Sequence, residues 1–256
     1  MNVVWSSQTG CDFFVWLNFI NQRVKDGVCL EIGASDGVVY SNSLFFERYL
    51  GYKCVLIEPF KPMFQKLVNN RRQAVCINTG ISNSDESHQL FVGTEYAAGY
   101  TSTMAKSHLK NFHPRPVFSN VNNCKMSTVL ENNNITYIDY FSLDVEGGEL
   151  EVLKSIDWDK VSIYLFCIEL DNQNPEKDEA VRQLLREKGF EYRHRIHNDE
   201  YWENPMYFRK SLLFDKAKRP NYKGEDLNNY GRHLYLHNSD YRAKIGSEIA
   251  SYKYEY

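Results

Sequence analysis

The chain has 256 residues, with 30 Lys and Arg against 33 Asp and Glu and a formal net charge of −3. That balance gives no overall basic field of the kind that draws a protein to nucleic acid, and no stretch nears the ~18 consecutive apolar residues of a membrane span. With 43% hydrophobic residues the chain can bury one sizeable core, and neither nucleic acid nor membrane is expected as a partner.

The opening MNVVWSSQTGC lacks the basic leader and apolar stretch of a secretory signal. An amphipathic segment, Phe13 to Val24, predicts a helix ahead of the first strand, so residues 1–27 read as a helical lead-in. From Val28 to Phe214 short β-branched or aromatic runs (VCLEIG, KCVLIEP, AVCIN, IDYFSLDV, SIYLFCIEL) mostly alternate with helical patterns (SNSLFFERYL, PMFQKLVNNR, MSTVLENNN, GELEVLKSI, EKDEAVRQLLREKG). Continuous apolar runs between turns fit strands buried on both faces, and the alternation predicts a doubly wound, mostly parallel α/β sheet. A hairpin or insertion is expected between Gln89 and Asn123. A closing hairpin is expected from Phe190–His197 and Met206–Phe214, with HNDEYWENP as its loop. The domain then spans 28–214. The Tyr-, Asn- and Lys-rich stretch 215–256 reads as an extension with one weak helix over 241–252.

Six cysteines (Cys11, Cys29, Cys54, Cys76, Cys124, Cys167) form no C-x-x-C pair, and four lie in the apolar runs. They are expected to be buried free thiols without zinc, which fits a reducing, cytoplasmic location.

Ligands of doubly wound sheets bind beyond the carboxyl ends of the strands. The loop GASDG leaves the first strand there: Gly33 permits a tight turn, Gly37 a close approach to a ligand, while Asp36 and Ser41 suit helix N-terminal amides. Glu58 follows Gly37 by 21 residues and ends the second strand, the place for a carboxylate that grips both hydroxyls of a ribose. The pattern E-x-G-x-x-x-G lacks the glycines for close pyrophosphate approach. A ribose ligand without a diphosphate therefore fits better than NAD, and S-adenosylmethionine is such a ligand, with Glu31 placed to hold its cationic end.

EIGASDGVVYSNSLFFERYLGYKCVLIEPFKPMFQKLVNNR, then INTGIS and YFSLDVEGGELEVLKSIDW, resemble the FkbM-like family of S-adenosylmethionine-dependent methyltransferases over about Val28 to Leu170. The resemblance implies the class I methyltransferase fold, a Rossmann-like seven-stranded sheet whose last strand is antiparallel. It also implies O-methylation of a hydroxylated small molecule or glycan, a sugar above all. Gly33, Ala34, Asp36 and Gly37 would form the methionine-side loop, with Ser41 and Asn42 behind it. Glu58 and Pro59 would lie at the ribose, and Asn78, Gly80, Ile81 and Ser82 by the adenine.

Asp144 and Glu146 follow the fourth strand and Glu169 ends the fifth, so three acids converge on the ligand edge, where like charges raise one another's pKa. Methyl transfer to an alcohol requires a base for the hydroxyl proton: Glu146 or Glu169 is expected in that role, with Asp144 placing the cofactor amine or the acceptor. Helix capping, dipole interaction and an arginine pair are the structural alternatives for Asp144, Glu146 and Glu169 in turn. No metal is expected, although a magnesium ion on these acids is the alternative route to hydroxyl activation. For the acceptor, EYAAGYTSTM and HNDEYWENP offer aromatic faces with polar tips. Ser102 and Thr103 are expected at the methyl site by the resemblance, with Tyr100, His113, Trp202 and Asn204 as weaker contacts. The remaining histidines, His108 among them, read as ordinary, and FHPRP as a rigid loop.

Two other functions fit parts of the pattern. A nicotinamide-dependent oxidoreductase is disfavoured by the missing glycine, and Tyr207 and Lys210 stand only three apart on an expected strand. A methyltransferase-like binding module without catalysis is disfavoured by the intact acids and glycine loop.

Overall fold

A computed structural model describes residues 5–20, 27–84, 89–93, 96–113 and 115–207. Seven strands form the central sheet: β1 Val28–Ile32, β2 Lys53–Ile57, β3 Val75–Ile77, β4 Tyr140–Leu143, β5 Leu165–Glu169, β6 Glu191–Ile196 and β7 Asp199–Glu203. Their order is β3-β2-β1-β4-β5-β7-β6, with β7 antiparallel to both neighbours and the other pairings parallel. This is the class I methyltransferase arrangement. The order reverses between β1 and β4, so the crevice of a doubly wound sheet opens where Ile32 and Leu143 end.

Successive side chains of the inner strands enter two different cores. Leu30, Ile32, Val55, Ile57, Phe141, Leu143 and Phe166 pack under α5 (Met126–Asn132), α6 (Glu149–Lys154) and α7 (Pro175–Glu187). Cys29, Cys54, Leu56, Tyr140 and Cys167 pack under α1 (Cys11–Val15), α2 (Leu44–Leu50) and α3 (Lys61–Asn70). Covering both faces is what makes the strand sequences predominantly apolar instead of alternating.

The lead-in helix is less regular than its periodicity suggests: α1 gives way to a π-helical turn over Trp16–Ile20, and residues 21–24 of the expected helix lie outside the described residues. The expected insertion is a three-stranded antiparallel sheet of Gln89–Gly93, Gly99–Tyr100 and Val117–Val121, together with α4 (Lys106–Phe112). The closing hairpin departs from expectation. Its second strand is Asp199–Glu203, and only His197 and Asn198 form the turn, so HNDEYWENP is mostly strand. The acids that make this segment look like a loop are neutralised in place. Glu200 takes Arg182 and Arg195, and Glu203 takes Arg193, so both are buried. The expected strand beyond residue 207 and the extension 215–256 lie outside the described residues.

All six cysteines are free, and Cys76 and Cys124 are only half-buried. Among the described residues no helix is long and apolar enough to cross a membrane.

Candidate active site

Gly33 is the first residue past β1 and has φ +83°. A Cβ there would overlap the carbonyl oxygen of Asp144, so glycine lets the loops after β1 and β4 pass each other. Gly37, φ +77°, plays a different part from the expected ligand approach: its vacant side is filled by Leu67 and Arg71 of α3 and the residue following it. Asp36 folds back on the amides of Val38 and Val39 (both 2.9 Å) instead of capping a helix. Ser41 likewise caps nothing; its hydroxyl donates to Glu31.

Glu31 is the anchor of this loop. Its carboxylate accepts from Asn42 N (2.8 Å), Ser41 Oγ (3.0 Å) and Ser43 Oγ (2.5 Å), although it also borders the cleft where a cationic ligand end was expected. Burial raises its pKa, and Arg71 opposes the shift. Arg71, absent from the sequence argument, is only 1% exposed. Its five N–H groups are all used: Nε and NH2 on Glu47, NH2 also on Ser43 Oγ, and NH1 on Gly37 O and Ser41 Oγ. The loop over residues 37–43 is thus fixed from beneath before any ligand arrives.

A first cleft runs over the ends of β1 and β2 and encloses about 650 Å³, counting space open to solvent. Glu31, Gly33, Ala34, Ser41, Asn42, Glu58 and Asp144 of the expected cofactor set line it, with Glu146. It continues into an apolar recess lined by Pro59, Gly80, Ile81 and Tyr100, again with Glu58 at its edge. Asp36, Gly37, Asn78 and Ser82 line neither: Asn78 holds the Glu58 and Pro59 carbonyls, and Ser82 bonds Ser84 O. Glu58 is 5% exposed and accepts from Ser35 N (2.8 Å, Oε2) and Phe60 N (2.7 Å, Oε1). Burial pushes its pKa up to about 7, against those two amides.

Asp144, Glu146 and Glu169 do converge, each offering an oxygen within 4.8 Å of the others. Burial raises all three, and mutual repulsion adds to the rise in Asp144 and Glu146: Glu146 reaches about 9, Glu169 about 7, and Asp144 rises well above the carboxylate range. The hydrogen bond between Asp144 and Glu169 lowers Glu169 and raises Asp144, so the two carboxyls share a proton more readily than they ionise together. Three oxygens so placed also have the chemistry to hold a hard divalent cation. His108, read as ordinary in the sequence, lies 3.3 Å from Glu146 through Nδ1.

A second cleft meets the first at Asp144. It runs past Glu169 to the β6–β7 turn and is walled by Gln8, Thr9, Tyr40, His197, Asn198 and Asp199. Asp12 builds the near wall: its buried carboxylate accepts from Ser6 N, Ser7 N and Ser7 Oγ, while Thr9 Oγ1 donates to Asp199 (2.7 Å). Residues 5–10 carry no periodic pattern that would announce this wall. Beneath Thr9, Cys11, Cys167 and Asp199 form a second close group of metal-capable atoms, which the absence of a C-x-x-C pair had concealed.

Four expected acceptor contacts fall elsewhere. Trp202 is core, packed beside Phe166 and Phe190 and donating to Glu200. Asn204 follows Glu203, which pairs with Leu165 at the opposite edge of the sheet. Ser102 is exposed, and Thr103 packs its carbonyl against Gly147; neither lines a cleft.

Residues 31–192 match the Methyltransferase FkbM domain. The chain belongs to the FkbM methyltransferase family. Among solved structures the FkbM chain is similar to methyltransferase FkbM from Methylobacillus flagellatus KT (16% identity, TM-score 0.44), covering 74% of this chain and 47% of that one. It is also similar to ribosomal protein L11 methylase from Lactobacillus delbrueckii subsp. bulgaricus (10%, TM-score 0.41, 76% of each chain). A third is Aeropyrum pernix fibrillarin in complex with natively bound S-adenosyl-L-methionine (12%, TM-score 0.44, 77% of this chain and 75% of that one). No curated protein matches the chain. The acceptor of this FkbM protein, nucleic acid included, is left open by these neighbours.

The cofactor of this family is S-adenosylmethionine, and the donor set fits it. Each Glu58 oxygen already holding one amide keeps a second lone pair, enough for two ribose hydroxyls. The recess beyond offers apolar faces to a base. The crowded carboxyls at Asp144 and Glu146 call for positive charge, which the amine and sulfonium carry.

Proposed function

We propose that this FkbM protein is an O-methyltransferase acting on a hydroxyl of a small-molecule or carbohydrate acceptor, a sugar by preference. The observation that carries the reading is the division of the three acids between two clefts: Glu146 faces the cofactor side, Glu169 the other side, and Asp144 both. Bound S-adenosylmethionine supplies the electrophilic methyl group. Glu58 holds the ribose hydroxyls, and the Arg71-braced loop keeps Asn42 and Ala34 in place. Asp144 hydrogen-bonds Glu169 and opposes the rise in its pKa, which leaves a share of Glu169 as the carboxylate near neutral pH. Glu169 is placed to take the proton from the acceptor hydroxyl, whose oxygen would receive the methyl group that the bound cofactor would supply. Glu146, protonated near pH 7, is the lesser candidate for base.

Incubation of the protein with label-bearing cofactor and a panel of hydroxylated acceptors, analysed by mass spectrometry, tests the reading. Glu169→Gln should lower kcat by about 10²-fold or more while S-adenosylhomocysteine binds as before. Undiminished turnover in Glu169→Gln would remove it as the base, and methyl groups found only on nitrogen would end the O-methyl proposal.

A further inference from the structure

We infer that the second cleft is the acceptor subsite and that it selects an uncharged, polyhydroxylated ligand while turning phosphorylated acceptors away. This rests on the O-methyl reading above, and it adds the place, the charge rule and the residues that impose it. The cleft opens from Asp144, where the cofactor cleft ends, so a molecule lying in it presents its hydroxyls to Glu169 and Asp144. Its space, about 960 Å³ with the part open to solvent, leaves room for a small ligand beside Glu169.

The walls are amphoteric. Gln8 and Asn198 carry amides, and Thr9 a hydroxyl; such groups both donate and accept, as the hydroxyl array of a sugar does. The ionisable groups turned into the cleft are the carboxyls of Asp144, Glu169 and Asp199, the Tyr40 phenol, the Cys11 thiol and the His197 imidazole; neither lysine nor arginine lines it among the described residues. The guanidinium beside the turn, Arg195, is spent on the hairpin itself, donating to the carbonyls of His197 and Leu170 and to Glu200. A phosphate would therefore enter a cleft lined by three carboxyls with neither lysine nor arginine to receive it, the arrangement by which binding sites reject wrong partners. The neighbouring cofactor cleft shows the contrast, since the cationic cofactor is welcome there for the same reason.

The test uses the full chain, label-bearing cofactor and a library of neutral oligosaccharides. Each member is paired with its phosphorylated form, and a pool of short RNA is added as a further arm. Neutral members should exceed their phosphorylated partners in kcat/KM by ~100-fold. Asn198→Arg should narrow that ratio at least ~10-fold with the S-adenosylhomocysteine Kd unchanged, which also reports that the variant is folded. Preference for phosphorylated sugars or RNA, or an Asn198→Arg variant with the wild-type ratio, would overturn the subsite while leaving O-methylation standing. Silence across every hydroxylated member, with S-adenosylhomocysteine still bound, would instead overturn the proposed function and this inference with it.

Discussion

Adenosine isolates the contribution of Glu58, because it carries the ribose and base but neither the amine nor the sulfonium felt by the other acids. Glu58 titrates at about 7 in the free protein, raised by burial. A hydroxyl bonded to a carboxylate is held about 1–1.5 kcal/mol more firmly than one bonded to a neutral carboxyl, so two hydroxyls give about 2–3 kcal/mol, or ~30–150-fold. Binding favours the ionised form, so the bound pKa drops by the same amount, to roughly 5. The adenosine Kd should be flat above pH 8, should weaken nearly tenfold per unit below 7 and should level out near pH 5. Calorimetric titrations from pH 5 to 9 follow this directly, and Glu58→Ala should bind weakly at every pH with that slope gone. A flat profile in the wild type, or the same slope retained in Glu58→Ala, would refute the ribose role.

Other outcomes follow from the same geometry. Arg71→Met strands the buried Glu47 carboxylate and leaves Gly37 O without its donor, so it should cost about 3–5 kcal/mol in urea unfolding; a loss below about 1 kcal/mol would mean the network is ornamental. Gly33→Ala should destabilise by several kcal/mol and weaken S-adenosylhomocysteine, whereas Gly10→Ala, with an equally left-handed backbone but open space, should show the backbone strain alone. Similar losses in the two would deny the clash with Asp144. The ligand-free protein should melt at lower temperature as pH rises from 5 to 8. Glu58, Glu146 and Glu169 hold their protons to higher pH when folded than when unfolded, so the native state binds more protons across that window and deprotonation favours unfolding. A melting temperature that climbs over the same range would contradict the raised values.

The sheet was legible because its signal is redundant. Apolar runs such as KCVLIEP and helices such as PMFQKLVNNR leave little choice of element, and the glycine and acid at fixed places mark the ligand edge. Asp144, Glu146 and Glu169 could be brought together from sequence since each ends or follows a parallel strand, and such ends share one rim. What failed were readings that depend on a partner distant in sequence. Gly37 owes its identity to Leu67 and Arg71, thirty or so positions away, and DEYWE reads as part of a loop because the arginines that pair with its acids, Arg182, Arg193 and Arg195, stand on neighbouring elements. Trp202 looked like a platform for a sugar for the same reason, its charged flanks concealing a core position. The second cleft escaped notice since its near wall, residues 6–9, is shaped by one buried carboxylate and has no periodicity to read.

That wall has its own consequence for how such enzymes diversify. Gln8 stands between Ser7, which bonds Asp12, and Thr9, which bonds Asp199, away from the tightly packed layers under the sheet. Exchanging Gln8 and Thr9, or the two turn residues opposite, alters what the cleft admits while the folding core is untouched. Relatives could therefore drift to new acceptors by small edits at the rim, keeping both the methyl donor and the scaffold that grips it.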